Sequence, residues 1–401
     1  MPDIPTLLIV GGGFSGTMVA AHVLRLASSP IHVRLIERGP QVGRGIAYGT
    51  RESHHLLNVP ANRISALPEE PAHFLHWLRR QDPSLEEATF APRPTFAAYV
   101  TSILEEAIAR KRPGVELSIV RGEAVSLRLE SDAAVVTLDG GETLSGQRVV
   151  LALGNFPPAL PGIPGLADSG GVVCDPWSPG ALAELDPNAP VLTIGTGLTM
   201  VDMALTLRAR GHRGTLHAVS RHGLLPRGYL PLQDYAPFLT PSPSLDAMMR
   251  QVRAEVRRAQ AQGIHWQAVI DALRPAQQAL WQGLPHAERK RFLRHLRPYW
   301  EVQRHRMAPP VAEAIAAMQA EGQLVLHAGR ILGVSEAAEG LSVRVRPRGT
   351  SDERTLDVAR ILNCTGPADV RHVDHPLLRD LFVQGLVRPD ALALGLDTAF
   401  H

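Results

Sequence analysis

Cysteine is nearly missing from this chain, and lysine with it. The two cysteines, Cys174 and Cys364, are far apart and form no C-x-x-C pair. That argues against a disulfide scaffold, a structural zinc site and a dithiol redox centre, and it suits a reducing, cytoplasmic compartment. Lysine occurs only at Lys111 and Lys290, and arginine carries the rest of the positive charge, a bias that reads as genome composition. The net charge is only +2, so no strong field points to nucleic acid as a partner. Met1-Pro2-Asp3-Ile4-Pro5 lacks the basic start of a signal peptide. The most membrane-like run, 191–207, is broken by Gly195, Gly197 and Asp202, and no lipidation or polybasic signal suggests anchoring. His54 and His55 have no cysteine or acid at metal spacing, so they read as solvated or core histidines and no metal is expected.

What is present is a chain of 401 residues, 45% hydrophobic and 20% charged, long enough for two or three soluble domains. Its organising stretch is Leu7-Leu8-Ile9-Val10-Gly11-Gly12-Gly13-Phe14-Ser15-Gly16. The apolar run reads as a buried parallel strand, and the glycines fit a G-x-G-x-x-G turn into a helix. Gly11 would make the tight turn, Gly13 would let backbone approach a pyrophosphate, and Gly16 would let helix and strand pack closely. A second strand, 31–36, ends at Glu37, about 20 residues past the last glycine, where a carboxylate can accept from ribose hydroxyls. Phe14 and Ser15 in the turn, and Arg38 beside Glu37, complete this candidate dinucleotide site.

Beyond it, 43–50 (GRGIAYGT) is too glycine-rich for a helix and reads as loop. The stretch 54–63 then places Asn58 where it would line the flavin end of a dinucleotide. Helices are expected over 71–80 and 95–112, then a meander of alternating runs at 116–120, 123–129, 133–138 and 143–150. Val125 sits where strand backbone would pair with an adenine edge, or only with its neighbouring strand. The strand 149–153 ends at Gly154 and returns the chain to the first sheet. A proline-rich connector follows at 157–165 and marks a domain boundary.

The opening logic then repeats. Val191 to Ile194 runs into Gly195-Thr196-Gly197-Leu198-Thr199-Met200, with Met200 at the third glycine position. The next strand ends in Ser220-Arg221, and an arginine there, in place of an acid, favours the 2′-phosphate of NADPH. Thr199, Ser220 and Arg221 therefore join Gly195 and Gly197 as candidates. The segment 224–241 looks like loop. Helices are expected over 245–262, 264–273, 275–282, 286–301 and 310–321, and strands over 324–327, 331–335 and 341–345. A last hydrophobic strand, 360–363, ends at Cys364-Thr365-Gly366 and is expected to return to the first domain, with Gly366 at the cofactor.

Taken together, VGGGFSGT at 10–17, GRGIAYGT at 43–50, HLLNVPANR at 55–63, IGTGLTMVD at 194–202, FLRHLRPYW at 292–300 and LNCTGP at 362–367 resemble the two-dinucleotide flavoproteins. The chain is similar in particular to largely uncharacterised bacterial FAD/NAD(P)-binding proteins related to flavin-containing and N-hydroxylating monooxygenases. The resemblance implies an α/β fold with two Rossmann-like, glutathione-reductase-like domains and a helical insertion. It implies an FAD-binding domain at 1–160 plus 325–401, and an NAD(P)H-binding domain at 161–324 with the insertion at about 244–321. FAD would sit at Gly11, Gly13, Gly16 and Glu37, with Asn58 and Gly154 near the flavin, and NADPH at Gly195, Gly197 and Arg221. The implied activity is an oxidoreductase, chiefly a monooxygenase in which oxygen adds at flavin C4a and then attacks a small molecule. A dehydrogenase feeding a quinone or protein, and a nucleotide-binding module without turnover, are the alternatives. Such proteins usually close with a strand and a helix whose N-terminus meets the flavin, and the short run 395–401 departs from that pattern.

Overall fold

The computed structural model describes residues 4–398, and the ends of the chain lie outside it. The first body is a four-stranded parallel sheet in the order β3-β2-β1-β7. In chain order it contains β1 (Thr6–Val10), α1 (Phe14–Leu26), β2 (Ile31–Glu37), the single-turn α2 (Gly45–Tyr48), α3 (His73–Arg79), α4 (Arg93–Arg110) and β3 (Val115–Arg121). An antiparallel three-stranded meander follows: β4 (Ala124–Leu129), β5 (Ala134–Leu138) and β6 (Thr143–Gly146). Then β7 (Arg148–Leu151) rejoins the sheet beside β1. One face of this sheet buries Ile9, Val33 and Leu35 against Ala21 and Leu24 of α1 and Val100 and Leu104 of α4. The other face buries Leu8, Val10 and Ile36 against the meander. The alternation of inward residues along β1 therefore serves two layers at once, which is why its sequence is an unbroken apolar run.

The second body starts at β8 (Val172–Val173) and β9 (Val191–Ile194), continues through α5 (Leu198–Ala209) and β10 (Leu216–Ser220), and then leaves the sheet for a helical insertion. The insertion consists of α6 (Leu245–Ala261), α7 (Trp266–Asp271), α8 (Gln277–Gly283), α9 (His286–His295) and α10 (Arg297–Arg304). The chain returns through α11 (Pro309–Ala320), β11 (Leu324–Ala337), β12 (Gly340–Pro347), β13 (Arg354–Val358) and β14 (Arg360–Asn363), and finishes with α12 (Pro376–Val383). The second sheet runs β13-β12-β11-β10-β9-β14-β8. Helices α5 and α11 cover one face, with Met200, Val201, Ile315 and Met318 buried there.

Five expectations are corrected. β3 is not part of the meander; it pairs in parallel with β2 along its whole length. The strand expected at 143–150 is two strands, because Gly146 presses β6 onto β1, where a Cβ would lie 2.9 Å from the Thr6 carbonyl oxygen. The 43–50 run is not all loop: Tyr48 packs 4.8 Å from the Phe96 ring, and that contact, with the left-handed Gly45 (φ 57°), supports one helical turn. The helix expected at 286–301 is split into α9 and α10, since Pro298 has no N–H to give the carbonyl four residues back. Finally, residues 324–363 do not rejoin the first sheet. β11 is one long strand, parallel to β10 in its first half and antiparallel to β12 in its second, with a register shift between Ile331 and Gly333. β14 lies beside β9. The chain returns to the first body through α12, whose Leu377 and Leu381 pack on the meander; the side chains of Asp380 and of Gln384, just past the helix, bond the Leu127 N–H and carbonyl of β4.

Gly16 is held against the Gly11 carbonyl so closely that a Cβ would stand 1.8 Å from that oxygen. Gly16→Ala is therefore expected to lower unfolding stability by at least about 2 kcal/mol in urea titration. An unchanged midpoint would contradict the packing described.

Candidate functional site

The two sheets carry crevices built alike at their carboxyl ends. In the first, Gly11 has φ 102°, and a Cβ there would lie 2.3 Å from the Ala152 carbonyl oxygen at the end of β7. In the second, Gly195 has φ 110°, and a Cβ would lie 2.4 Å from the Cys364 carbonyl oxygen at the end of β14. Only glycine fits either turn. Gly13 and Gly197 are the residues before α1 and α5, and neither helix start has a side-chain cap. The free N–H groups there, with the partial positive charge of the helix end, suit a phosphate. A Cβ on Gly197 would meet nothing within 4 Å, and one on Gly13 only Gly45 at 3.5 Å.

Around the first crevice, Glu37 accepts from the Gly12 N–H at 2.7 Å and from the Gly39 N–H at 2.5 Å. These bonds fix the carboxylate at the wall of a cavity of about 560 Å³ that Arg44, Thr101 and Arg121 also line. Thr17 Oγ1 donates to the Gly12 carbonyl and accepts from the Gly43 N–H, clamping the loop after β2 to the glycine turn. Phe14 stacks on Phe96 at 6.0 Å, and Ser15 is exposed. Val125 is the extra residue where the β4–β5 register shifts, between Ala124↔Leu138 and Ser126↔Thr137, so its backbone groups are outside that ladder. Asn58 is half-buried, and Gly154 has φ 67° with open space around it. Arg38, in contrast, pairs with Glu123 at 2.9 Å, and that carboxylate also meets His375 at 3.0 Å.

At the second crevice Ser220 turns inward. Its hydroxyl accepts from the Gly223 N–H and lies 2.9 Å from that of Thr196, which donates to the Leu224 carbonyl. Thr199 is half-buried. Arg221 is exposed and makes no hydrogen bond or ion pair among the described residues. Next to it, burial lowers the His222 pKa, and the charges of Arg348 and Arg221 add to that. Gly366 (φ 91°) follows β14 and so belongs to this crevice; the expectation that it returns with its strand to the first is overturned by the pairing of β14 with β9. Met200, fully buried, fills the place that Gly16 has in the first repeat.

Residues 8–156 match a family model described as FAD-NAD(P)-binding. An uncharacterised protein of Mycobacterium tuberculosis is 22% identical over 432 residues, covering 92% of this chain and 80% of that one. Among solved structures, the ornithine hydroxylase PvdA of Pseudomonas aeruginosa superposes with a TM-score of 0.64 at 16% identity, over 95% of this chain and 86% of that one. The L-lysine 6-monooxygenase of Pseudomonas syringae gives 0.61 at 16% identity, over 97% and 86%. The chain shares the fold of these two solved structures.

In this chain the two bodies are joined by a polar cluster that the sequence does not announce. Arg93, at the start of α4 in the first body, forms a two-pronged ion pair with Asp202 of α5 in the second, at 2.7 and 3.2 Å. Both side chains are largely buried, and burial, against the pull of Arg93, raises the Asp202 pKa to about 6. His55 lies alongside, with Nε2 2.9 Å from Thr206 Oγ1 and 3.1 Å from the Asp202 carbonyl oxygen, and Nδ1 2.7 Å from Thr50 Oγ1. Its ring meets Trp177 edge-on. It is a core histidine, and burial lowers its pKa to about 4. The partners are 109 and 151 residues apart, and no local pattern links them. Among the described residues no helix is long and apolar enough to cross a membrane.

His55 gives this contact a pH dependence of known sign. Its folded pKa, about 4, lies below the ordinary 6.5, so its contribution is fully present above pH 6.5 and is lost as pH falls toward 4. His55→Leu is expected to cost about 2 kcal/mol at pH 7 by leaving buried partners unsatisfied. That difference from the parent protein should shrink by about 2 kcal/mol at pH 5, where only the parent's unfolded state gains a proton at this position. Urea midpoints at the two pH values check it; a constant difference would contradict it.

Proposed function

We propose that the protein is an FAD-dependent, NADPH-using oxidoreductase, a monooxygenase acting on a small molecule. The observation that carries this reading is the repetition of one nucleotide-binding turn in two bodies, Gly11 over Ala152 and Gly195 over Cys364. The names of the similar structures, an ornithine hydroxylase and a lysine monooxygenase, support the reaction class. A dithiol route is unsupported, because Cys174 is exposed, Cys364 is buried and both are free.

The residues fit the two cofactors. The uncapped start of α1 and the space at Gly13 suit the FAD pyrophosphate, and Glu37 borders a cavity of adequate size for a nucleoside. In the segment around Asn58, Asn62 Oδ1 is buried without a donor among the described residues, an acceptor suited to a ring N–H. Val125, at the register shift of β4, would offer its backbone to adenine. Gly154 leaves room at the end of β7. Arg38, held by Glu123, has a supporting role at most. At the second crevice, Gly195, Gly197 and Thr199 would admit the NADPH pyrophosphate. Ser220 would fix the strand end, Arg221 would take the 2′-phosphate, and Gly366 would keep the crevice open. When bound, FAD supplies hydride acceptance from NADPH and electron transfer to oxygen. The chain's own work is to orient the two nucleotides and exclude water, with the Arg93–Asp202 contact fixing the separation of the crevices.

Protein loaded with FAD should oxidise NADPH in air, and an organic substrate should accelerate oxygen uptake with incorporation of one oxygen atom. Oxidation of NADPH by quinones alone, with no incorporation, would make it a dehydrogenase. Arg221→Ser should raise the KM for NADPH about 10- to 100-fold and leave that for NADH nearly unchanged; steady-state kinetics with both nucleotides decide it.

A further inference from the structure

The helical insertion lines a solvent-open cavity of about 810 Å³ that the nucleotide sites do not use. Its wall is hydrocarbon and aromatic: Met248, Val252, Leu280, Trp281, Phe292 and Trp300. These residues belong to the hydrophobic core of the insertion itself. An apolar surface of this size left facing water is unfavourable, and a ligand that covered it would recover that free energy. The volume falls in the range of small-molecule sites. Tyr299 and Leu394, the exposed hydrophobics of the wall at 46% and 49%, mark its mouth. Tyr299 also meets the His222 ring at 5.6 Å, so the mouth adjoins the second crevice.

Two further features specify what fits. Among the charged groups of the wall, Arg297 pairs with Glu301 at 3.4 Å and Glu301 with His305 at 2.6 Å, while Arg274 lies 3.5 Å from Asp271, a carboxylate that Arg306 holds at 2.9 and 3.0 Å. Glu301, the carboxylate of the wall, is therefore engaged and not free for the ammonium ends of an amino acid. Gln303, in contrast, belongs to the wall, and its amide oxygen is buried with no donor among the described residues. A buried acceptor without a partner is costly unless a ligand supplies the hydrogen.

We propose that this cavity binds a small molecule that is mostly hydrocarbon and carries one hydrogen-bond donor. The site stands on the packing of the insertion and goes beyond the redox reading.

The test is calorimetric titration of the FAD-loaded full chain with 1-decanol, decyl methyl ether and L-ornithine. Saturable binding of decanol is expected, with the ether, which has no donor, about threefold to tenfold weaker, and ornithine not bound. Leu280→Trp and, separately, Met249→Trp place an indole in the space and should weaken decanol at least tenfold, while flavin uptake and NADPH-driven flavin reduction stay at parent levels. Absence of saturable decanol binding overturns the proposal. So does equal affinity in a folded tryptophan variant, a preference for ornithine, or sedimentation showing a dimer that Leu280→Trp dissociates. Flavin uptake and reduction are read separately, so their loss in the parent protein would tell against the proposed function and not against the cavity.

Discussion

The arrangement depends on one buried ion pair. Arg93 and Asp202 come from different bodies, and their contact holds the start of α4 against α5. Taking two charges out of water is unfavourable, and their attraction compensates only when geometry is good and other polar groups are satisfied. Here the guanidinium makes both prongs and also donates to the Leu56 carbonyl, while His55 ties the Asp202 and Thr206 region to the same segment. A hydrophobic contact would allow the bodies to slide; a two-pronged bond with fixed directions does not. The relative position of the two crevices, on which transfer between two nucleotides would depend, is held by this contact together with Leu56 and Phe90 packed on the core of the second body.

Within each body a different constraint acts. Gly11 and Gly195 lie so near a carbonyl of the neighbouring strand that no side chain fits. The turn is thus defined by its own strand and by a second strand arriving more than a hundred residues later. β7 completes the first crevice as β14 completes the second, and in both cases a glycine of positive φ follows, Gly154 and Gly366. The repeats are not equal. Gly16 allows α1 to press on the turn, whereas Met200 fills the corresponding place under α5 with side chain.

Much of this was legible in the sequence where the signal is local. The apolar run of β1, the glycines, the acid ending β2 and the second G-x-G each sit within about ten residues of the feature they specify, and the glycine turns form as read. Errors arose where partners are distant. A strand such as 360–363 has the same apolar composition whether it joins the first sheet or the second, and only its register with β9 distinguishes the two. Likewise Tyr48 turns a glycine-rich stretch into a helical turn through a ring contributed by α4. Arg38 stood beside the expected ribose acid, yet Glu123 draws it away.

The sequence by itself determined the class of most elements, the two glycine turns and the arginine at the end of β10, because periodicity, glycine geometry and charge act over a few bonds. Tertiary structure alone decided which sheet the later strands enter, how the bodies are pinned together, and that the insertion lines an open apolar cavity. Those outcomes depend on side chains meeting across a hundred residues or more, where the free energy lies in complementary shape and paired charge and leaves no periodic trace along the chain.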